Sequence, residues 1–117
     1  MNKQRREKIS ENIKQEISEI IQKEAKDPRI GFVTIIRVEL TNDAKYADVY
    51  FSVLGSDKDK NNSKVGLERA TGYLRKEIGQ RLKMRFTPEL RFRFDGSIEY
   101  SAHIDQVLEN LKKEEKD

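Results

Sequence analysis

Between residues 69 and 93, Arg69, Arg75, Lys76, Arg81, Lys83, Arg85, Arg91 and Arg93 stand against only two acids, Glu77 and Glu89. Cations at that density attract polyanions, and a localised excess is the electrostatic footprint of a nucleic-acid binder. The whole chain carries a formal net charge of only +3, so the signal lies in where the charge is placed. A second excess opens the chain, with Lys3, Arg5, Arg6, Lys8 and Lys14 against Glu7 and Glu11. Residues 105–117 lean acidic instead.

Machinery for catalysis is much thinner. His103 is the single histidine and there is no cysteine, which removes disulfides, thiol nucleophiles and a histidine or cysteine metal cluster. His103 lies beside an apolar helical stripe, where a structural or exposed role outweighs a catalytic one. The paired Glu114-Glu115 falls in a charged tail with no pocket-forming residues around it. Neither a G-x-G-x-x-G run, a phosphate loop nor a nucleophile elbow occurs. The expectation is a protein with no catalytic residue, no metal and no cofactor. The N-terminus is charged, and no run approaches the roughly eighteen apolar residues of a membrane span. Neither a secretory leader nor a membrane helix is expected, and the cytoplasm is the default location.

The elements that must position these cations follow from periodicity. At 117 residues, with 35% hydrophobic and 38% charged, one core inside a charged skin is expected, and residues 1–117 form one domain with a solvated tail from about residue 112. Ile9, Ile13, Ile17, Ile20 and Ile21 recur at helical spacing, predicting a helix over about 5–25 that Asp27-Pro28 stops. Residues 32–40 and 46–54 are rich in β-branched and aromatic side chains, and Thr41-Asn42-Asp43-Ala44 between them supplies turn chemistry, predicting a hairpin. In the second run Ala47, Val49, Phe51 and Val53 alternate with more polar residues, so one face is buried. Residues 55–62 have loop composition, with Asn62 or Ser63 suited to cap a helix over Val65–Lys83. Gly66, Gly72 and Gly79 each cost about 1 kcal/mol in that helix, so a bend or break is expected, best at Gly72. Leu90, Phe92 and Phe94 mark a third strand, and Ile104, Val107, Leu108 and Leu111 a final helix. The fold class is α+β: order α-β-β-α-α-β plus a C-terminal helix, and a three-stranded mixed sheet with helices on one face.

Plotted at about 100° per residue, Leu74, Ile78 and Leu82 share one face, while Gly72, Arg75, Lys76, Gly79 and Lys83 share the next. The second stripe is basic with a glycine floor that lets a phosphate backbone come close. An ordinary solvated face with glycines that merely permit a bend is the competing reading. Arg91 and Arg93 either extend the basic surface or guard an edge strand. Arg85 adjoins Lys83. Lys3, Arg5, Arg6 and Lys8 form either a phosphate-contacting arm or a frayed terminus. Phe32, Phe51, Phe92 and Phe94 have strand periodicity and are assigned to the core, so backbone contacts are expected to dominate over base stacking.

The element order is that of a type II KH domain whose G-x-x-G loop is replaced by the A-x-G bend Ala70-Thr71-Gly72. In this the chain resembles the bacterial ribosome-binding factor A family. The resemblance extends over about residues 3–111, through Asp27-Pro28-Arg29, Thr34-Ile35, Ala47-Asp48-Val49-Tyr50, the stretch from Arg75 through Gly79 to Pro88-Glu89-Leu90, and Phe94-Asp95-Gly96-Ser97. It implies a KH-like, non-enzymatic, cofactor-free cytoplasmic assembly factor, expected as a monomer. Such a factor binds the immature small (30S) ribosomal subunit and its 16S rRNA, and supports late maturation, rRNA processing and growth in the cold. The implied RNA-binding set is Ala70, Thr71 and Gly72 with Arg75, Lys76, Lys83 and Arg85. A protein-interaction module meeting a ribosomal protein or an assembly GTPase, with incidental RNA affinity, is the alternative. A small phosphate-handling hydrolase is the third reading.

Overall fold

The computed structural model describes residues 2–23 and 33–95. In chain order these form α1 (Lys3–Lys23), β1 (Val33–Leu40), β2 (Tyr46–Val53), α2 (Asp57–Arg81) and β3 (Glu89–Phe94). The strands lie in the order β1-β2-β3. β1 runs antiparallel to β2 across the Thr41–Lys45 turn, and β3 runs parallel to β2 from Tyr46↔Glu89 to Phe51↔Phe94.

Alternation decides which sheet face is buried. Ala47, Val49, Phe51 and Val53 of the central strand are almost inaccessible, with Leu90 and Phe92 beside them on β3. On β1 the alternation slips by one residue. Ile35 and Val38 are both buried because the register shifts between Ile35 and Arg37, a bulge that absorbs Ile36. The apolar stripes of α1 (Ile13, Ile17, Ile20, Ile21) and α2 (Leu67, Leu74, Ile78) join the inward strand residues in one core. Both helices therefore cover one sheet face, as expected. Among the described helices none is long and apolar enough to cross a membrane.

Two expectations about α2 need correction. The polar stretch 57–62 is helical, not loop, and Ser56 rather than Asn62 or Ser63 is the N-cap. The Ser56 side chain accepts from the Asp59 amide while the Asp59 carboxylate accepts from the Ser56 amide, a reciprocal capping box. Asp57 and Asp59 also place negative charge at the positive end of the helix. The second correction concerns the expected bend. α2 runs without interruption through Ala70-Thr71-Gly72 to Arg81, so the α-α pair is a single helix of 25 residues. Burial of Leu67 on one side of Gly72 and of Leu74 and Ile78 on the other holds the axis against the glycine penalty. Of the four phenylalanines assigned to the core, Phe51 and Phe92 are buried. Phe94 is 41% exposed, edge-on to Phe51 and beneath Lys60. Phe32, Asp27-Pro28, His103, the C-terminal helix and the tail lie outside the described residues.

A Cβ at Gly72 would meet no atom within 4 Å, whereas one at Gly79 would stand 2.6 Å from Thr87 Oγ1. Chemical denaturation should show Gly72→Ala stabilising the fold by about 1 kcal/mol, and Gly79→Ala gaining less because Thr87 must move. The acid limb is set by similar local geometry. The Asp59 carboxyl is held below the usual aspartate range by the Ser56 amide and hydroxyl, and that of Asp43 by the Lys45 amide and Thr41 hydroxyl. Depressed folded values mean that this stabilisation is complete above the unfolded pKa of about 4 and is lost as pH falls through the folded values. Unfolding midpoints measured against pH should be flat on this account above about 4 and drop below it, with a shallower drop in Asp59→Asn.

Candidate nucleic-acid interface

The end of α2 is built around a backbone that lysine rarely adopts. The Lys83 amide donates to the Gln80 carbonyl and the Met84 amide to the Gly79 carbonyl, at 3.4 and 3.0 Å. This is a Schellman closure, which needs a left-handed residue just past the cap and usually takes glycine there. Here that residue is Lys83, at φ 52°. The chain then doubles back along the helix. Arg75 donates from Nε to the Pro88 carbonyl (3.2 Å) and from Nη2 to the Thr87 carbonyl (3.1 Å). Gly79 supplies the space into which Thr87 packs. Arg75 and Gly79, both expected on the RNA-facing stripe, are thus engaged in holding the 82–88 turn. Sequence spacing could not show this, because their partner arrives from outside the helix.

That turn forms one wall of a cleft of about 900 Å³ whose other walls are the first turns of α1 and the β1–β2 turn. Arg5 from α1, Lys45 from the hairpin, and Lys83 and Arg85 from the turn line it together, over apolar surface from Ile9, Leu82 and Met84. Asp43 and Glu89 are the acids in its lining. Neither Arg5, Lys83 nor Arg85 forms a salt bridge among the described residues, although the Arg85 guanidinium lies 5.5 Å from the centre of the Phe86 ring. Phe86 is 79% exposed. Lys45 and Phe86 were invisible as site residues in the sequence, since a lone lysine in a turn and a lone aromatic between helix and strand carry no periodic signal. Of the two basic groups read there, Arg5 from the N-terminal bases and Arg75, Lys83 and Arg85 from the stripe and its flank line this cleft, whereas Lys3, Arg6, Lys8 and Lys76 do not.

Arg91 and Arg93 are placed differently. They project from the sheet face opposite the helices, and both hold Asp48. Arg91 does so in a two-pronged pair of 2.7 and 3.0 Å, and Arg93 in a single bond of 3.1 Å. Partial burial works to raise the Asp48 carboxyl, but the bonds and charges of Arg91 and Arg93 outweigh it and leave its pKa below the ordinary value. Arg91 also stacks 4.3 Å over Tyr46, and Arg37 3.9 Å over Tyr50 while it pairs with Glu39 and Asp95. This face is rich in arginine but internally neutralised.

The remaining candidates are spread along the two helices. Ala70 packs partly against the core, Thr71 donates back to the Leu67 carbonyl, and Gly72 and Lys76 are exposed. Lys3, Arg5, Arg6 and Lys8 belong to the first turns of α1 and form no arm, because Asn2 caps the helix by accepting from the Arg5 amide. Lys3 pairs weakly with Glu7, and Arg6 donates to Asn42 across the hairpin turn. Among the described residues no group of three or more histidine, cysteine, aspartate or glutamate side chains is arranged to hold a metal.

Comparison with known proteins agrees with this architecture. The family model described as Ribosome-binding factor A matches residues 5–108. A Ribosome-binding factor A of Halothermothrix orenii is 48% identical over 115 residues, covering 98% of this chain and 94% of that protein. The crystal structure of ribosome-binding factor A from Thermus thermophilus superposes with a TM-score of 0.66 at 26% identity, over 75% of this chain and 93% of that one. A homology model of the Thermus thermophilus factor, fitted into the cryo-EM map of a 30S complex, superposes with a TM-score of 0.63 at 26% identity, over 74% and 91% of the two chains. On the extent of the family match and the identity shared along nearly its whole length, the chain belongs to the ribosome-binding factor A family.

Proposed function

We propose that this protein is an assembly factor that binds the immature 30S subunit and contacts its 16S rRNA through the cationic cleft, with no chemical step. The observation that carries the reading is the meeting of Arg5, Lys45, Lys83 and Arg85 from three separate chain segments around one opening. Membership of the family and the similarity to a relative seen on the 30S subunit support the same target. Gly72 and Lys76 lie within about 40° of one another around the helix axis, and both are exposed. They extend the cationic surface along α2 from the turn that carries Lys83, and a phosphate backbone can run along it. In this reading the protein acts as a cytoplasmic monomer with a KH-like fold during late maturation and rRNA processing, and its loss is felt most in the cold.

The outer sheet face favours a second reading. Its arginines are already neutralised by Asp48, Glu39 and Asp95, and tyrosine with arginine is a composition typical of protein contacts. A ribosomal protein or an assembly GTPase would meet the factor there. Salt separates the readings, because an rRNA contact releases counterions with a log–log slope of about 0.7–0.9 per phosphate while a neutralised protein face responds weakly.

Sedimentation with small subunits should show co-migration at low salt that fades as salt rises. In Lys83→Gly/Arg85→Ala the salt slope should fall by about 1 for each lost phosphate contact. Glycine suits the left-handed position, so that double variant should keep its stability; unchanged binding would remove the cleft from the reading. Arg75→Ala should behave in the opposite way to Lys76→Ala. Losing the bonds to Thr87 and Pro88 should lower stability by about 1 kcal/mol or more. Lys76→Ala should leave stability unchanged in the same denaturation assay.

A further inference from the structure

The geometry points to an unpaired nucleotide as the occupant of the cleft, its base lying against the Phe86 ring and its phosphate between Lys83 and Arg85. The inference deepens the RNA-binding reading and rests on it. Two features of the cleft belong together only for such a ligand. The first is Phe86, which is 79% exposed although it sits in a turn pinned on its far side by the Arg75 bonds to Thr87 and Pro88. An exposed ring on a fixed stretch of backbone, with the Arg85 guanidinium 5.5 Å from its centre, offers an apolar face on which a base can stack, and such stacking tolerates any base. The second is the pairing of cations at the rim with apolar surface from Ile9, Leu82 and Met84 beneath them. The volume of about 900 Å³ lies within the range of pockets that take small organic ligands.

A regular RNA duplex satisfies only half of this. Its bases are stacked inside, and its accessible groove presents hydroxyls and phosphates, so it would neutralise Lys83 and Arg85 and leave Phe86 and the apolar floor in water. An apolar peptide would do the reverse, covering the floor and leaving the rim cations without counter-charge. A nucleotide splayed out of a single-stranded segment supplies a π face and an anion within one residue. The expectation from sequence that backbone contacts dominate over base stacking is therefore revised at this one position, on an aromatic that strand periodicity could not flag.

Fluorescence anisotropy on the full chain tests the proposal with three probes of equal length: an unstructured RNA of mixed sequence, the corresponding abasic ribose-phosphate oligomer, and a duplex. The wild type should bind the unstructured RNA most tightly. Phe86→Ala, whose fold is checked by circular dichroism, should weaken that binding by about tenfold, the effect expected from loss of one base stack. It should not alter binding of the abasic oligomer, and Phe86→Trp should restore the loss. Equal affinity for base-bearing and abasic oligomers, or no effect of Phe86→Ala, overturns the nucleotide proposal. If Lys83→Gly/Arg85→Ala still weakens all three probes, the broader RNA-binding reading survives that failure; if it weakens none, both fall.

Discussion

The 2.8 Å hydrogen bond from the Glu89 amide to the Lys45 carbonyl opens the parallel pairing of β3 with β2, and most of the molecule's geography follows from it. A parallel neighbour cannot be reached by a tight turn, so the chain must travel back along the sheet before the next strand begins. α2 makes that journey. Its 25 residues rise about 37 Å, whereas an eight-residue strand such as β2 spans about 26 Å. The helix is therefore longer than the strand it returns along, and the turn that follows must fold back beside its last residues to bring Glu89 level with Tyr46. The Arg75 bonds to Thr87 and Pro88 and the side-chain-free surface at Gly79 accomplish that fold-back. The same constraint brings residues 82–87 beside the hairpin turn and the start of α1, which is why Lys45, Lys83, Arg85 and Arg5 face one opening.

Where positive charge stays unpaired is a second consequence of register. Cross-strand neighbours on β2 and β3 set Asp48 opposite Arg91, and Arg93 reaches the same carboxylate. Arg37 finds Glu39 and Asp95, and Arg81 finds Glu16 and Glu77. The sheet and the helix interface absorb these arginines in internal pairs. Lys76, Lys83, Arg85 and Arg5 form no salt bridge among the described residues, and three of these four line the cleft. A phosphate arriving there displaces no carboxylate from them, whereas one approaching Arg91 would have to break a two-pronged pair of 2.7 and 3.0 Å. Local availability distinguishes these sites, and net charge could not.

The sheet and core were legible because alternation and helical spacing record burial directly. Val49, Phe51, Leu90, Phe92, Ile13, Ile17, Leu74 and Ile78 are all buried where periodicity puts them. The bulge at Ile36 was not legible, since two consecutive isoleucines fit either register until β2 is in place. The first turns of α2 were missed for a related reason. Asp57 to Asn62 bury no apolar side chain, so those turns are stabilised by a cap and by charge at the helix end, to which periodicity is blind. The expected bend at Gly72 failed because about 1 kcal/mol of propensity is small beside the burial of Leu67, Leu74 and Ile78 along one axis. In the site, the cations were legible as a class, but which of them stay available depends on partners such as Asp48 and the Thr87 carbonyl that only the fold supplies.

Besides Ala44 in the hairpin turn, at φ 59°, two local choices in this chain run against local preference, and each places a cation, Lys83 or Arg5, in the lining of the cleft. Lys83 occupies a left-handed position at which a non-glycine residue costs of order 1 kcal/mol and glycine would close the same Schellman turn without strain. The first turn of α1 contains no acid and instead carries Lys3, Arg5 and Arg6 at the positive end of the helix dipole, where each cation is unfavourable by a few tenths of a kcal/mol or more. Neither choice improves packing: Lys83, Lys3 and Arg5 are exposed. A fold selected for stability alone would place glycine at the first position and acids at the second. Local rules broken on elements that are distant in sequence and adjacent in space are expected at functional or strained sites. The departures at Lys83 and at the start of α1 share positive charge, as the proposed rRNA contact requires, while the one at Ala44 is neutral.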